Sequence, residues 1–113
     1  MGKRGDLIAL YAEELRNKCG IDPDLELLTK VTIGCGPAIY DPDAALVSAD
    51  DPEDLEATKR NFVIRKLGLP ESQGLMDSIT EIIDSYGQPN QPKYRAVVYY
   101  MLTKHFRREA ILA

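Results

Sequence analysis

Tryptophan is absent from this 113-residue chain, histidine occurs once and cysteine twice. Each scarcity excludes chemistry. With a single histidine, any Ser-His-Asp or Cys-His arrangement must run through His105, beside Lys104, Arg107 and Arg108. It would need an orienting acid and a nucleophile that sequence order does not supply. A cation in the last turn of a helix suits its negative end, so a structural role is expected for His105. Cys19 and Cys35 form no Cys-x-x-Cys pair and have no histidine nearby, so zinc and iron–sulfur sites lack ligands. Both are expected to act as small buried hydrophobes. No apolar run approaches the roughly 20 residues of a membrane span. No secretory signal is expected either, because Met1-Gly2-Lys3-Arg4-Gly5-Asp6 leads into a helix carrying Glu13 and Glu14. The Gly-rich phosphate loops Gly-x-Gly-x-x-Gly and Gly-x-x-x-x-Gly-Lys-Ser/Thr do not occur.

What remains is an ordinary globular composition, 44% hydrophobic and 28% charged. The length fits one domain over residues 1–113, able to bury roughly two-thirds of its unfolded surface without a metal or disulfide. A cytoplasmic protein without cofactor or metal is the expectation. The net charge of −4 is unevenly spread. Residues 22–56 hold ten acids against Lys30 alone, whereas residues 57–68 and 87–113 are basic. Blocks of this kind mark elements that face each other, and the acidic 41–56 is expected opposite the basic 104–108. Duplex DNA binding is disfavoured, since it calls for an overall basic excess. The acids invite a calcium reading, but a loop opening at Asp41 has Ala45, Leu46 and Pro52 where an EF-hand needs acid or amide, Gly and Glu.

Proline and glycine punctuate the chain. Asp22-Pro23, Asp41-Pro42 and Asp51-Pro52 each set a capping carboxylate before a proline suited to the first helical position. Gly20, Gly34 or Gly36, Gly68 and Gly87 read as helix stops. Between them the apolar spacing predicts helices over 6–19, 23–33, 52–67, 73–86 and 92–108, with a short extra helix at 42–48. Val97-Val98-Tyr99-Tyr100 alone could be a strand, but its flanks keep a period near 3.6 and make it helical. The fold expected is all-α, a compact bundle of about five helices with 73–86 and 92–108 at its centre. Arg16–Ile21 faintly echoes Ile64–Leu69, each a basic stretch ending in Gly and an apolar residue.

The last helix offers the best binding surface. Arg95, Tyr99, Tyr100, Lys104, Arg107 and Arg108 could anchor a protein partner or, less readily, stack single-stranded RNA. Against that, a central helix buries most of its circumference, and Tyr94, Tyr99 and Tyr100 then become core or boundary residues. The pair Ile111 and Leu112 beyond the arginines suits a weak homodimer.

Three strings together carry a family likeness: Gly34-Cys35-Gly36-Pro37-Ala38-Ile39-Tyr40, Val63-Ile64-Arg65-Lys66-Leu67-Gly68-Leu69, and Lys93-Tyr94-Arg95-Ala96-Val97-Val98-Tyr99-Tyr100 with Lys104 after it. Over nearly its whole length the chain resembles a family of small bacterial proteins known as a domain of unknown function. The resemblance implies a bacterial cytoplasmic origin and a compact helical domain, and brings no activity, cofactor or catalytic residue. The function expected is therefore a non-enzymatic interaction or regulatory module. The alternative is a small enzyme or ligand carrier using Cys35, Tyr40 or His105 in a pocket between helices. A Cys35 near the start of a helix at Pro42 would have a lowered pKa and favour that alternative.

Overall fold

The computed structural model describes residues 3–87 and 92–112, with nothing to say of the Leu112 side chain. Five α-helices dominate: α1 (Lys3–Lys18), α2 (Leu25–Cys35), α3 (Pro52–Thr58), α4 (Gln73–Asp84) and α5 (Arg95–His105). Short 3-10 turns cover Gly36–Tyr40 and Glu109–Leu112, and α3 runs on into a π-helical turn over Lys59–Ile64. Two strands of two residues, β1 (Leu46–Val47) and β2 (Lys93–Tyr94), pair antiparallel with Leu46 opposite Tyr94. The expected all-α architecture is what forms, with a two-residue ribbon added. The Cα radius of gyration is 12.9 Å, close to the ~13 Å of a compact chain this long.

The caps explain most boundaries. At Asp51 the carboxylate accepts the Glu53 N–H, and Pro52 follows where no N–H is needed. For α2 the cap is Asp24, not Asp22: its Oδ1 accepts from Leu27 N at 3.2 Å, while its own N–H donates to the buried Tyr100 hydroxyl at 2.8 Å. The short helix expected at 42–48 does not form. Asp41 Oδ1 accepts from Asp43 N and Ala44 N, and Ala45 N–H reaches Asp41 O. One turn is closed this way, and the chain then extends so that Leu46–Val47 can pair with Lys93–Tyr94 and bury Val47. The same pairing holds residues 93–94 extended and delays α5 to Arg95.

Burial places α5 at the centre. Val97, Val98, Tyr100 and Leu102 are all fully buried, so this helix is enclosed on nearly every side by α1, α2, α4 and the ribbon. Helix α4, expected beside it at the centre, instead buries one stripe, Leu75, Ile79 and Ile83, flanked by half-buried Met76, Ser78 and Ile82, and exposes its other face.

The faint echo has a structural counterpart. Ile21 N–H bonds to Leu15 O at 2.8 Å and Leu69 N–H to Val63 O at 3.2 Å, each reaching six residues back across a left-handed glycine, Gly20 or Gly68. Both bonds close a wide helix end that satisfies a carbonyl left over by the helix.

Candidate functional site

The polar centre of the molecule is Arg95, at the first turn of α5. The β1–β2 pairing fixes its backbone, whose N–H donates to Ala45 O at 2.7 Å. From there the guanidinium forks inward. Its Nε donates to Ala44 O at 2.7 Å, Nη2 to Leu46 O at 3.0 Å and to Asp54 Oδ1 at 3.1 Å, and Nη1 to the Tyr99 hydroxyl at 3.2 Å. Asp54 Oδ2 in turn accepts the Ser48 N–H at 2.8 Å. One side chain thus ties the 41–48 loop, α3 and α5 together. Burial works against its charge, but the Tyr99 hydroxyl and the Asp54 carboxylate outweigh it and hold the guanidinium above its ordinary basicity.

Tyr99 lies one turn further along α5. Its ring stacks on Phe62 with centroids 4.0 Å apart and an interplanar angle of 14°. The π-turn over Lys59–Ile64 delivers both Phe62 and Asn61 to this place. Such an extra-wide turn shifts side chains out of α-helical register, and π-turns recur at functional sites. Burial pushes the Tyr99 phenol up, with Arg95 pulling the other way. Beside it the buried Thr58 hydroxyl has no hydrogen-bond partner of good geometry, though it lies within electrostatic reach of Tyr99.

Around this centre opens a groove of about 370 Å³ between the end of α2, the 41–48 loop, α3 with its π-turn, and α5. Its wall is made of small residues, Gly34, Ala38, Ala44 and Ala57, which leave the space. Cys35, Asn61 and Lys66 supply polar atoms, with Asp54 and Arg95 at one side. The Cys35 thiol is pushed up to about 11 by burial, which Arg95 and Lys66 only partly offset. The lowered pKa expected of a helix start at Pro42 is therefore reversed. No helix forms there to supply a dipole, and desolvation of the thiolate dominates. Cys19 is likewise raised to about 11 by burial and touches Met101 Sδ at 3.8 Å.

The three residues named for a catalytic alternative do not meet. Cys35 lines the groove, whereas Tyr40 is half-exposed and lines two other hollows with Ile39. His105 is exposed at the end of α5, edge-on to the Phe106 ring at 4.9 Å, and lines none of these cavities. The six residues named as a partner surface are also divided. Arg95 and Tyr99 belong to the groove, Tyr100 is fully buried beneath Asp24, and Lys104 and Arg107 are exposed with Arg108 half-buried. The tyrosines are core and boundary residues because α5 is enclosed.

Asp54, Asn61, Phe62 and Lys66 were not singled out as site residues by the sequence. The basic block over 57–68 contained the only hint of Lys66, and nothing in the apolar spacing announces a π-turn.

These features define a small, mostly α-helical domain with a groove of apolar walls and a few polar groups beside the start of its central helix. The chain belongs to the family described as protein of unknown function (DUF2853), whose model matches residues 10–110 and so takes in every element of the groove. No curated protein matches the chain. Among the described residues, no helix is long and apolar enough to cross a membrane.

Proposed function

We propose that the protein is a non-enzymatic regulatory module that works by binding at the Arg95–Tyr99 groove. One observation carries this reading. The groove offers recognition groups, namely a cation, an amide, a hydroxyl and an aromatic wall, while its one cysteine among the described residues, Cys35, is held as a neutral thiol by burial. A thiolate is the reacting form of cysteine, and a thiol this far up is inert at neutral pH. The enzymatic alternative loses support because no described cavity is lined by more than one of Cys35, Tyr40 and His105. Its ligand-carrying form keeps Cys35 as a wall residue. A bacterial cytoplasmic home belongs to the same proposal, supported by two free thiols that suit a reducing compartment. So does a weak two-fold contact through the tail, where Ile111 stays half-exposed.

The test is isolation of the tagged full chain from its own lysate, with Lys66→Glu at the groove and Arg16→Glu on α1, outside it. A companion retained by the native chain and by Arg16→Glu, but lost from Lys66→Glu, is the expected result. Equal retention by all three would place binding elsewhere and overturn the reading.

A further inference from the structure

Resting on that reading, we propose that the groove is a site for a small organic monocarboxylate with a short apolar or aromatic body. The charge count selects the anion. Arg95 and Lys66 line the groove with one carboxylate, Asp54, which pairs with Arg95, so the lining carries one positive charge in excess. A monoanion brings it to neutrality, whereas a dianion such as hydrogen phosphate would leave a half-buried negative charge without a partner.

The donors match in number as well. A guanidinium has five N–H groups. The bonds to Ala44, Leu46, Asp54 and Tyr99 leave one Nη1 N–H over. Lys66 forms no ion pair among the described residues, although Lys59, on the same helical stretch, is taken by Glu56 and Glu71. One guanidinium N–H and one ammonium suit the two oxygens of a single carboxylate. The Asn61 amide, exposed at the rim, adds a donor and an acceptor.

The walls select the body. Four residues with a methyl group or less, Gly34, Ala38, Ala44 and Ala57, leave a hollow that larger side chains would have filled. The stacked Phe62 and Tyr99 rings give it an aromatic side. Apolar surroundings with a few convergent polar groups are the usual form of a small-molecule site. Asp54 keeps its oxygens on Arg95 and Ser48, so it holds the guanidinium in place rather than competing with the ligand. The remaining Arg95 N–H and the Lys66 ammonium are left to the incoming anion.

Phenylacetate is the probe, titrated into the full chain and followed by backbone and side-chain amide chemical shifts. We expect saturable shifts confined to Gly34, Cys35, Ala57 and Asn61, with a dissociation constant of about millimolar or tighter. Phenylacetamide, which has the same body and no charge, should bind about tenfold or more weakly, as should the Lys66→Gln variant with the acid. Lys66 is exposed, so that variant keeps the native melting temperature and reports charge rather than folding. Absence of saturable shifts with phenylacetate would overturn the site. Equal binding of the amide, unchanged affinity in Lys66→Gln, or tighter binding of inorganic phosphate would each overturn the ligand class. None of these outcomes touches the lysate comparison, so failure of the carboxylate and failure of the binding module are told apart.

Discussion

Arg95 could not be replaced by lysine without loss, although the charge would be kept. Its planar fork serves four acceptors on three separate segments, and an ammonium, with three donors on a single atom at a shorter reach, cannot serve them together. Arg95→Lys should cost about 1–3 kcal/mol, read from denaturant unfolding, because the Ala44 and Leu46 carbonyls and Asp54 lose donors in a half-buried place. Unchanged stability would mean the fork is dispensable. A second buried polar link lies on the other side of α5. The Tyr86 hydroxyl, fully buried, donates to Glu14 Oε1 at 2.6 Å and accepts the Tyr94 N–H at 3.3 Å. Tyr86→Phe removes the only described donor to that oxygen and should also cost about 1–3 kcal/mol. How such residues look in sequence differs sharply. Tyr86 fits the apolar spacing of 73–86 and was expected in the core, but its partner Glu14 reads as a surface acid. Arg95 reads as one more base in a basic block. Its role depends on a loop conformation and a two-residue ribbon that no local pattern encodes.

At the scale of elements, glycine was the most legible letter and the π-turn the least. The backbone of Gly68 has φ of +76°, as expected of a helix stop, and a β-carbon there would meet only Ile111 Cδ1 at 3.6 Å, an ordinary contact. The strain of Gly68→Ala is therefore conformational, and the melting temperature should fall by the equivalent of about 1 kcal/mol. The end of α5 offers the reverse experiment. Arg108 N–H bonds to Thr103 O and Arg107 N–H to Lys104 O, a Schellman end whose left-handed position is filled by Arg107 with φ of +57°. Arg107→Gly relieves that backbone and should raise stability by up to about 1 kcal/mol, which calorimetry would register. A fall instead would show that the arginine side chain contributes more than its backbone costs. The glycine stops are legible because φ is a local property, whereas of the three Asp-Pro starts only Asp51-Pro52 opens a helix as read. The departure from α to π over Lys59–Ile64 is set by where Phe62 must pack against Tyr99, a contact across the fold.

For the whole molecule, the expected meeting of the 41–56 acids with the 104–108 bases does not occur. Among the described residues Asp54 pairs with Arg95, Glu56 and Glu71 with Lys59, and Lys104 with Glu109. The acidic segment meets Arg95 instead, and the basic end pairs locally, Lys104 with Glu109, because the tail turns back after Arg107 and packs against α2. Arg107→Ala with Arg108→Ala should then leave stability nearly independent of salt. If a weak dimer forms through Ile111, sedimentation of the full chain should show association at high concentration, and a chain ending at Arg108 should not. Alkali is the condition that reaches the core. Burial holds Tyr11 at about 12 against an ordinary 10.0, and Cys19 and Cys35 at about 11 against 9.0. A group whose folded pKa is raised keeps its proton better when folded, so its stabilising share is complete below pH 9.0 and is lost as pH climbs towards 12. Unfolding free energy should accordingly stay level up to that lower limit and decline above it.

The central claim is that the Arg95–Tyr99 groove recognises without reacting, and Cys35 reports on it from inside. Alkylation of the native chain by iodoacetamide should be followed as a function of pH, with mass mapping to separate Cys35 from Cys19. The account predicts a Cys35 midpoint at about 11, with a rate at neutral pH far below that of a free thiol. A midpoint near or below 7, with fast neutral-pH alkylation of Cys35, would reveal a primed thiolate and contradict it.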